Sequence, residues 1–137
     1  MKNPDINLAS PHLAASLIRL YWVTRLSLAF IWLWTAWVSW EIYPQAQSLA
    51  WLREIGLSDH TEFWFAASCL LDLLLGLLTL VFVSRKLWIV QIILVLFYSL
   101  VIMARLPEFM IHPFAPVIKN LAVLCCLYYL LVIDTKK

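Results

Sequence analysis

Residues 63–83 read FWFAASCLLDLLLGLLTLVFV, an apolar run carrying a single acid, Asp72, near its middle. About 20 consecutive apolar residues is the length a helix needs to cross a bilayer, so this stretch sets the fold class: an all-α membrane protein. On a helix, residues three or four apart stack along the axis. Ser68, Asp72, Gly76 and Thr79 therefore share a small, polar face, while Leu70, Leu71, Leu74, Leu77, Leu78 and Val81 cover much of the rest. Small polar faces let membrane helices approach closely. An ionisable group at mid-membrane costs at least about 2.5–3.5 kcal/mol on insertion scales, which marks Asp72 as the place to look for function.

The rest of the composition agrees with a membrane protein. The chain has 137 residues, 64% of them hydrophobic and 13% charged, and a mean hydropathy of +0.89. Soluble domains run near 45–50% apolar and about 25% charged. A net charge of +2 is too weak to suggest nucleic acid. Cys69, Cys125 and Cys126 lie in apolar runs and form no CxxC; they read as small apolar fillers, which argues against a thiol–disulfide enzyme.

Working outward, residues 1–19 form a polar cytoplasmic lead-in with prolines at Pro4 and Pro11, and no cleavable signal is expected. The first span, 20–43, contains Trp22, Trp32, Trp34, Trp37 and Trp40, with Arg25 early in it and Pro44 at its end. Trp37, Trp40 and Tyr43 suit the headgroup level. The connection 45–62 alternates Leu49, Trp51, Leu52, Ile55 and Leu57 with charged residues, a pattern expected to form a short amphipathic surface helix stopped near Gly56. Ser58 or Asp59 is expected to cap the next span, with Glu62 in capping-box spacing after Asp59 and His60 in the turn. After Ser84-Arg85-Lys86 comes a third span, 87–103, with Gln91 inside it. A loop with Pro107, Pro113 and Pro116 precedes a fourth span, 117–133.

Four crossings put both termini on one side. Lys2, Arg19, Arg25, Arg85, Lys86, Lys136 and Lys137 would then lie inside, against Arg53, Arg105 and Lys119 outside. The positive-inside bias makes both ends cytoplasmic. The expected architecture is one domain, 1–137: a four-transmembrane-helix up-down bundle with an amphipathic helix in its first outer loop.

The candidate chemistry gathers around Asp72, which can pair with Arg25 from below or Lys119 from above and so stay ionised; alternatively both bases snorkel to the headgroups and leave Asp72 neutral. Asp72 is the candidate proton acceptor or ligand partner, with Lys119 and Arg25 as its charged neighbours. Gln91 and Asn120 are interhelical hydrogen-bond partners or ligand contacts. His112, before Pro113 and Phe114, can be a loop histidine, a proton donor, a metal ligand or half of a haem pair, but haem needs a second axial ligand at matching depth, and His60 and His12 are poorly placed for it. No metal site is expected.

Three motifs then suggest a family: Arg25 opening a tryptophan-rich helix with Ile31-Trp32-Leu33-Trp34-Thr35-Ala36, the stretch Leu71-Asp72-Leu73-Leu74-Leu75-Gly76-Leu77-Leu78, and His112-Pro113-Phe114-Ala115-Pro116-Val117-Ile118-Lys119-Asn120-Leu121. Together they resemble the DoxX-like family of small four-helix bacterial membrane proteins, over almost the whole of 20–133. Asp72 stands where glutamate is expected, and Ala36 where glycine is expected. The resemblance implies a bacterial inner-membrane location and a link to redox chemistry, since some relatives are subunits of a thiosulfate:quinone oxidoreductase and others associate with oxidative-stress enzymes.

Three function classes follow. In the first the chain would be a subunit or accessory of a quinone-linked or oxidative-stress redox system, with Asp72 as a buried proton acceptor or quinone hydrogen-bond partner and an oxidoreductase partner supplying electrons. Alternatively it is a non-catalytic membrane assembly protein, alone or as a homo-oligomer, whose polar face serves packing. Least favoured is a small four-helix transporter, since exporters of that kind carry their membrane acid in the first helix.

Overall fold

Inside a bilayer no water reaches the backbone, so a spanning chain must satisfy its N–H and C=O groups within helices or a closed barrel. The computed structural model describes residues 11–111 and 116–134, and these contain helices and no strand. In chain order they are α1 (Pro11–Trp37), continued by a π-helical turn (Val38–Ile42); α2 (Gln45–Glu54); α3 (Thr61–Val81); α4 (Arg85–Arg105); the short α5 (Glu108–Ile111); and α6 (Pro116–Ile133). Pro11–Ile42, Thr61–Val81 and Arg85–Arg105 are long and apolar enough to cross a membrane, and Val117–Ile133 is a shorter apolar helix. α1 is already helical at Pro11, ahead of the expected residue 20, because Leu13, Ala14, Ala15 and Leu17 are good helix formers. His112 lies outside the described residues.

The amphipathic helix forms where the sequence pattern places it and ends in a Schellman motif. Leu57 N–H donates to Leu52 O at 2.9 Å and Gly56 N–H to Arg53 O at 3.0 Å. Gly56 has φ 104°, a left-handed conformation that favours glycine. The expected capping box does not form. His60, at φ 56° and ψ 39°, is the N-cap of α3 and makes no side-chain cap hydrogen bond. This left-handed residue starts the helix one position later than Asp59 would. The Thr61 hydroxyl instead donates back to Leu57 O at 2.9 Å and Ser58 O at 3.0 Å, and Glu62 sits in the first turn, where the helix dipole favours an acid.

The helices pack as two pairs, α1 with α3 and α4 with α6, joined mainly through α1 against α6. At the centre Leu28, Trp32, Leu75, Trp88, Val95, Leu127 and Leu130 form one buried cluster. α1 and α3 approach most closely at Gly76, where a Cβ would lie 2.7 Å from Leu33 Cγ and Cδ2 and 3.2 Å from the Leu33 backbone nitrogen. Ala29 and Ala36, buried on α1, continue this small-residue seam, which is how membrane helices gain van der Waals contact without a hydrophobic driving force.

The end of α3 nearest the 82–84 turn, hereafter the lower end, is closed by an arginine. The last carbonyls of a helix have no intrahelical partner, and in lipid they cannot turn to water. Arg25, only 3% exposed, reaches across from α1. Its Nε donates to Thr79 O at 2.6 Å, and its terminal nitrogen donates to Leu80 O at 2.7 Å and Phe82 O at 3.1 Å. The guanidinium also lies 5.2 Å from the Trp22 ring centroid, within cation–π range. Nearby, Trp88 Nε1 and the Tyr21 hydroxyl both donate to Asp134 Oδ2, at 2.5 and 3.5 Å, and the Tyr129 hydroxyl donates to Leu17 O at 3.0 Å. These bonds tie α1, α4 and the end of α6 together.

Two stability predictions follow from the packing. Gly76→Val should lower stability by about 1–3 kcal/mol, the usual cost of overpacking, with partial rescue by Leu33→Ala; unfolding titrations in mixed micelles measure both. Arg25→Met should cost about 2–3 kcal/mol by stranding buried carbonyls. Arg25→Lys should recover only part of the loss, because an ammonium lacks the planar fork.

Candidate functional site

The polar groups between the helices separate into two levels. In the lower half the buried side chains of Trp32, Gln91, Thr79 and Arg25 form one connected set. Trp32 Nε1 donates to Gln91 Oε1 at 2.8 Å, and Gln91 Nε2 donates to the Thr79 hydroxyl at 2.9 Å. Gln91 and Thr79 are both fully buried, and Thr79 passes the chain of bonds on to Arg25 through its carbonyl. The network ties α1, α3 and α4 together and satisfies both ends of the Gln91 amide, which keeps a buried polar group from being a liability.

The upper half, toward α2, differs. α3 and α4 run antiparallel from the 82–84 turn, and the Thr79–Gln91 bond sets their register. Seven residues further along either helix, roughly 10 Å higher, stand Asp72 and Tyr98. Asp72 is close enough to act electrostatically on both the Tyr98 hydroxyl and the Cys69 thiol. Ser99, next to Tyr98, accepts a hydrogen bond from Asn120 Nδ2 at 2.9 Å, so Asn120 of α6 belongs to the same level. Cys69 lies about one turn above Asp72 and is buried.

Asp72 Oδ1 is buried and has no hydrogen-bond partner among the described residues. Buried polar atoms are paired in the great majority of cases, and leaving an acceptor unpaired carries a desolvation cost of about 1–3 kcal/mol, more for a charged group. An orphaned buried acceptor at mid-helix is therefore a candidate partner for a ligand's donor.

The candidates from the sequence divide accordingly. Arg25 donates its guanidinium to the α3 end instead of reaching Asp72. Lys119 is exposed on α6, one residue from Asn120. Gln91 belongs to the lower network, and Asn120 to the level of Asp72. Tyr98 and Cys69 were not among the sequence candidates. A signal for Tyr98 was present: folding a helix back about the tight connection at residue 84 sets Asp72 opposite residues 96–98.

Comparison with known proteins bears on this geometry. A sequence model of the DoxX-like family matches residues 29–128, a span that includes the π turn, the Gly76 seam and the whole Asp72 level while Arg25 precedes it. No curated protein and no solved structure matches the chain. With well over half of its length matched, the chain belongs to the DoxX-like family.

Proposed function

We propose that this DoxX-like membrane protein is the membrane subunit or accessory of a quinone-linked redox system, with Asp72 as the group that meets the ligand. The observation that carries the reading is the buried Asp72 Oδ1, which has no hydrogen-bond partner among the described residues. It suits a ligand whose polar edge exchanges a hydrogen bond at mid-membrane, and a quinone would supply two-electron, two-proton chemistry there. Asp72 accepts a hydrogen bond from a hydroxyl when it is a carboxylate and donates one to a carbonyl when it carries a proton. The same oxygen can thus take and return a proton. The Tyr98 hydroxyl and the Asn120–Ser99 pair bound the site at that level, and the Gln91 network below holds α3 and α4 in register. Electrons come from an oxidoreductase partner.

The topology belongs to the same proposal. α6, at 18 residues, is about 27 Å long and falls within the range of about 17–25 residues that span a bilayer. It makes the fourth crossing of an up-down bundle in a bacterial inner membrane, with both termini cytoplasmic as the positive-inside bias directs. A fluorescent protein that matures only in the cytoplasm should fluoresce when fused after Lys137. Alkaline phosphatase inserted beside His60 should be active. Active phosphatase at both places would contradict a fourth crossing.

The non-catalytic assembly reading draws on the lower network, whose groups all serve packing. Purification from native membranes in mild detergent separates the two readings. Quinone and an oxidoreductase should accompany the wild-type chain and be lost from Asp72→Asn, while the folded yield of that variant stays unchanged. Equal recovery of both with wild type and variant would remove Asp72 from the function and leave the assembly role.

A further inference from the structure

On the face of α1 and α3 turned away from α4 and α6 runs an open groove of about 760 Å³. Its walls are apolar: Leu33, Trp34 and Trp37 of α1 face Ala66, Leu70 and Leu73 of α3. The acid on its wall is Glu41, which is exposed. Glu41 lies in the π-helical turn, where Tyr43 N–H donates to Val38 O at 2.8 Å, a five-residue step in place of four. Such turns are frequent at functional sites. This one leaves Trp40, which lines the groove with Glu41, stacked on Phe65 of α3, with ring centroids 6.0 Å apart and planes 12° apart.

We propose that this groove is a binding site for one acyl chain of a phospholipid whose headgroup carries a primary ammonium, as phosphatidylethanolamine does. Length supports the chain. From Phe30, which also lines the groove, to Glu41 α1 rises roughly 16 Å, about half of the ~30 Å hydrocarbon core; the groove is therefore one leaflet deep. Its volume lies in the ordinary range of roughly 300–1,000 Å³ for sites that hold small ligands. Charge supports the headgroup. Glu41 sits at the end of the groove where Trp37, Trp40 and Tyr43 mark the membrane interface, so an ammonium arriving there meets a carboxylate. A phosphatidylglycerol headgroup, with no cation, meets the same carboxylate as a like charge. Asp72 does not line the groove, although Cys69, about one turn above it, does, and the proposal does not depend on the redox reading.

The test uses the full chain in phosphatidylcholine vesicles containing a rising fraction of lipid with brominated acyl chains, which quench tryptophan on contact. Trp34, Trp37 and Trp40 report the groove once Trp22 and Trp64, exposed outside it, are replaced by phenylalanine. Brominated phosphatidylethanolamine should reach half-maximal quenching at about a threefold lower mole fraction than phosphatidylglycerol, which has no cation, or phosphatidylcholine, whose quaternary ammonium has no N–H to donate to the carboxylate; a hydrogen-bonded exposed ion pair gives an effect of that size. Glu41→Gln, on an exposed side chain, should abolish that difference while circular dichroism stays unchanged. Ala66→Phe, which fills the groove, should lower quenching by every headgroup. Identical quenching curves for the three headgroups, or a preference that survives Glu41→Gln, overturns the proposal. Failure of all three lipids to quench, with disulfide cross-links forming between copies carrying cysteine at position 70, would also overturn it and make the groove a self-association face.

Discussion

A helix that ends inside a membrane must give its last carbonyls to something other than water, and in this protein that acceptor problem is solved by Arg25. Its donors satisfy Thr79, Leu80 and Phe82 at the lower end of α3, and its positive charge sits where the helix dipole is negative. Nearly every other feature of the lower half follows from that bond set. It holds α1 to α3 below the point where Gly76 and Leu33 meet, beside the connection 82–84 that leads into α4. The turn sets the register in which Gln91 finds Thr79 and Trp32. A buried guanidinium with no carboxylate partner is costly in hydrocarbon; backbone carbonyls at a helix terminus are the partners that make it tolerable.

The upper half is built on the opposite principle. Asp72 lies on the same face of α3 as Thr79 and Gly76, in the same antiparallel register, yet its buried oxygen has no partner among the described residues. The contrast between the two levels is what gives Asp72 its interest. Asp72, about two turns from the network around Gln91, does not go unpaired from want of polar residues: Tyr98, Ser99 and Asn120 stand at its level, and the last two are bonded to each other. Fully satisfied networks rigidify, whereas unsatisfied groups are where ligands bind and protons move.

Much of the fold can be read in the sequence because hydrophobic length and glycine chemistry are local signals. The run 63–83, the amphipathic stretch after Pro44 and the stop at Gly56 each announce an element without reference to anything else. The start of α3 is less visible, since His60 takes a left-handed conformation that Ser58, Asp59 and Glu62 give no reason to expect. The site is harder still. Side-chain reasoning pairs Arg25 with Asp72 because the two charges are opposite and within reach. The acceptors Arg25 actually uses are backbone carbonyls, which every residue possesses and no sequence pattern singles out. Gln91 and Asn120 stand out as polar residues in apolar helices, but Tyr98 does not, because a tyrosine in a membrane helix is ordinary; only the register from the 82–84 turn sets it opposite Asp72.

The claim that Asp72 is kept unpaired for a ligand is tested most directly by infrared difference spectroscopy on the purified chain, with and without a short-chain quinone such as decyl-ubiquinone. Addition of the quinone should perturb a carboxyl stretching band that is absent from Asp72→Asn and unaffected by Arg25→Lys. A difference spectrum with no carboxyl signal, or one that persists in Asp72→Asn, would contradict the account.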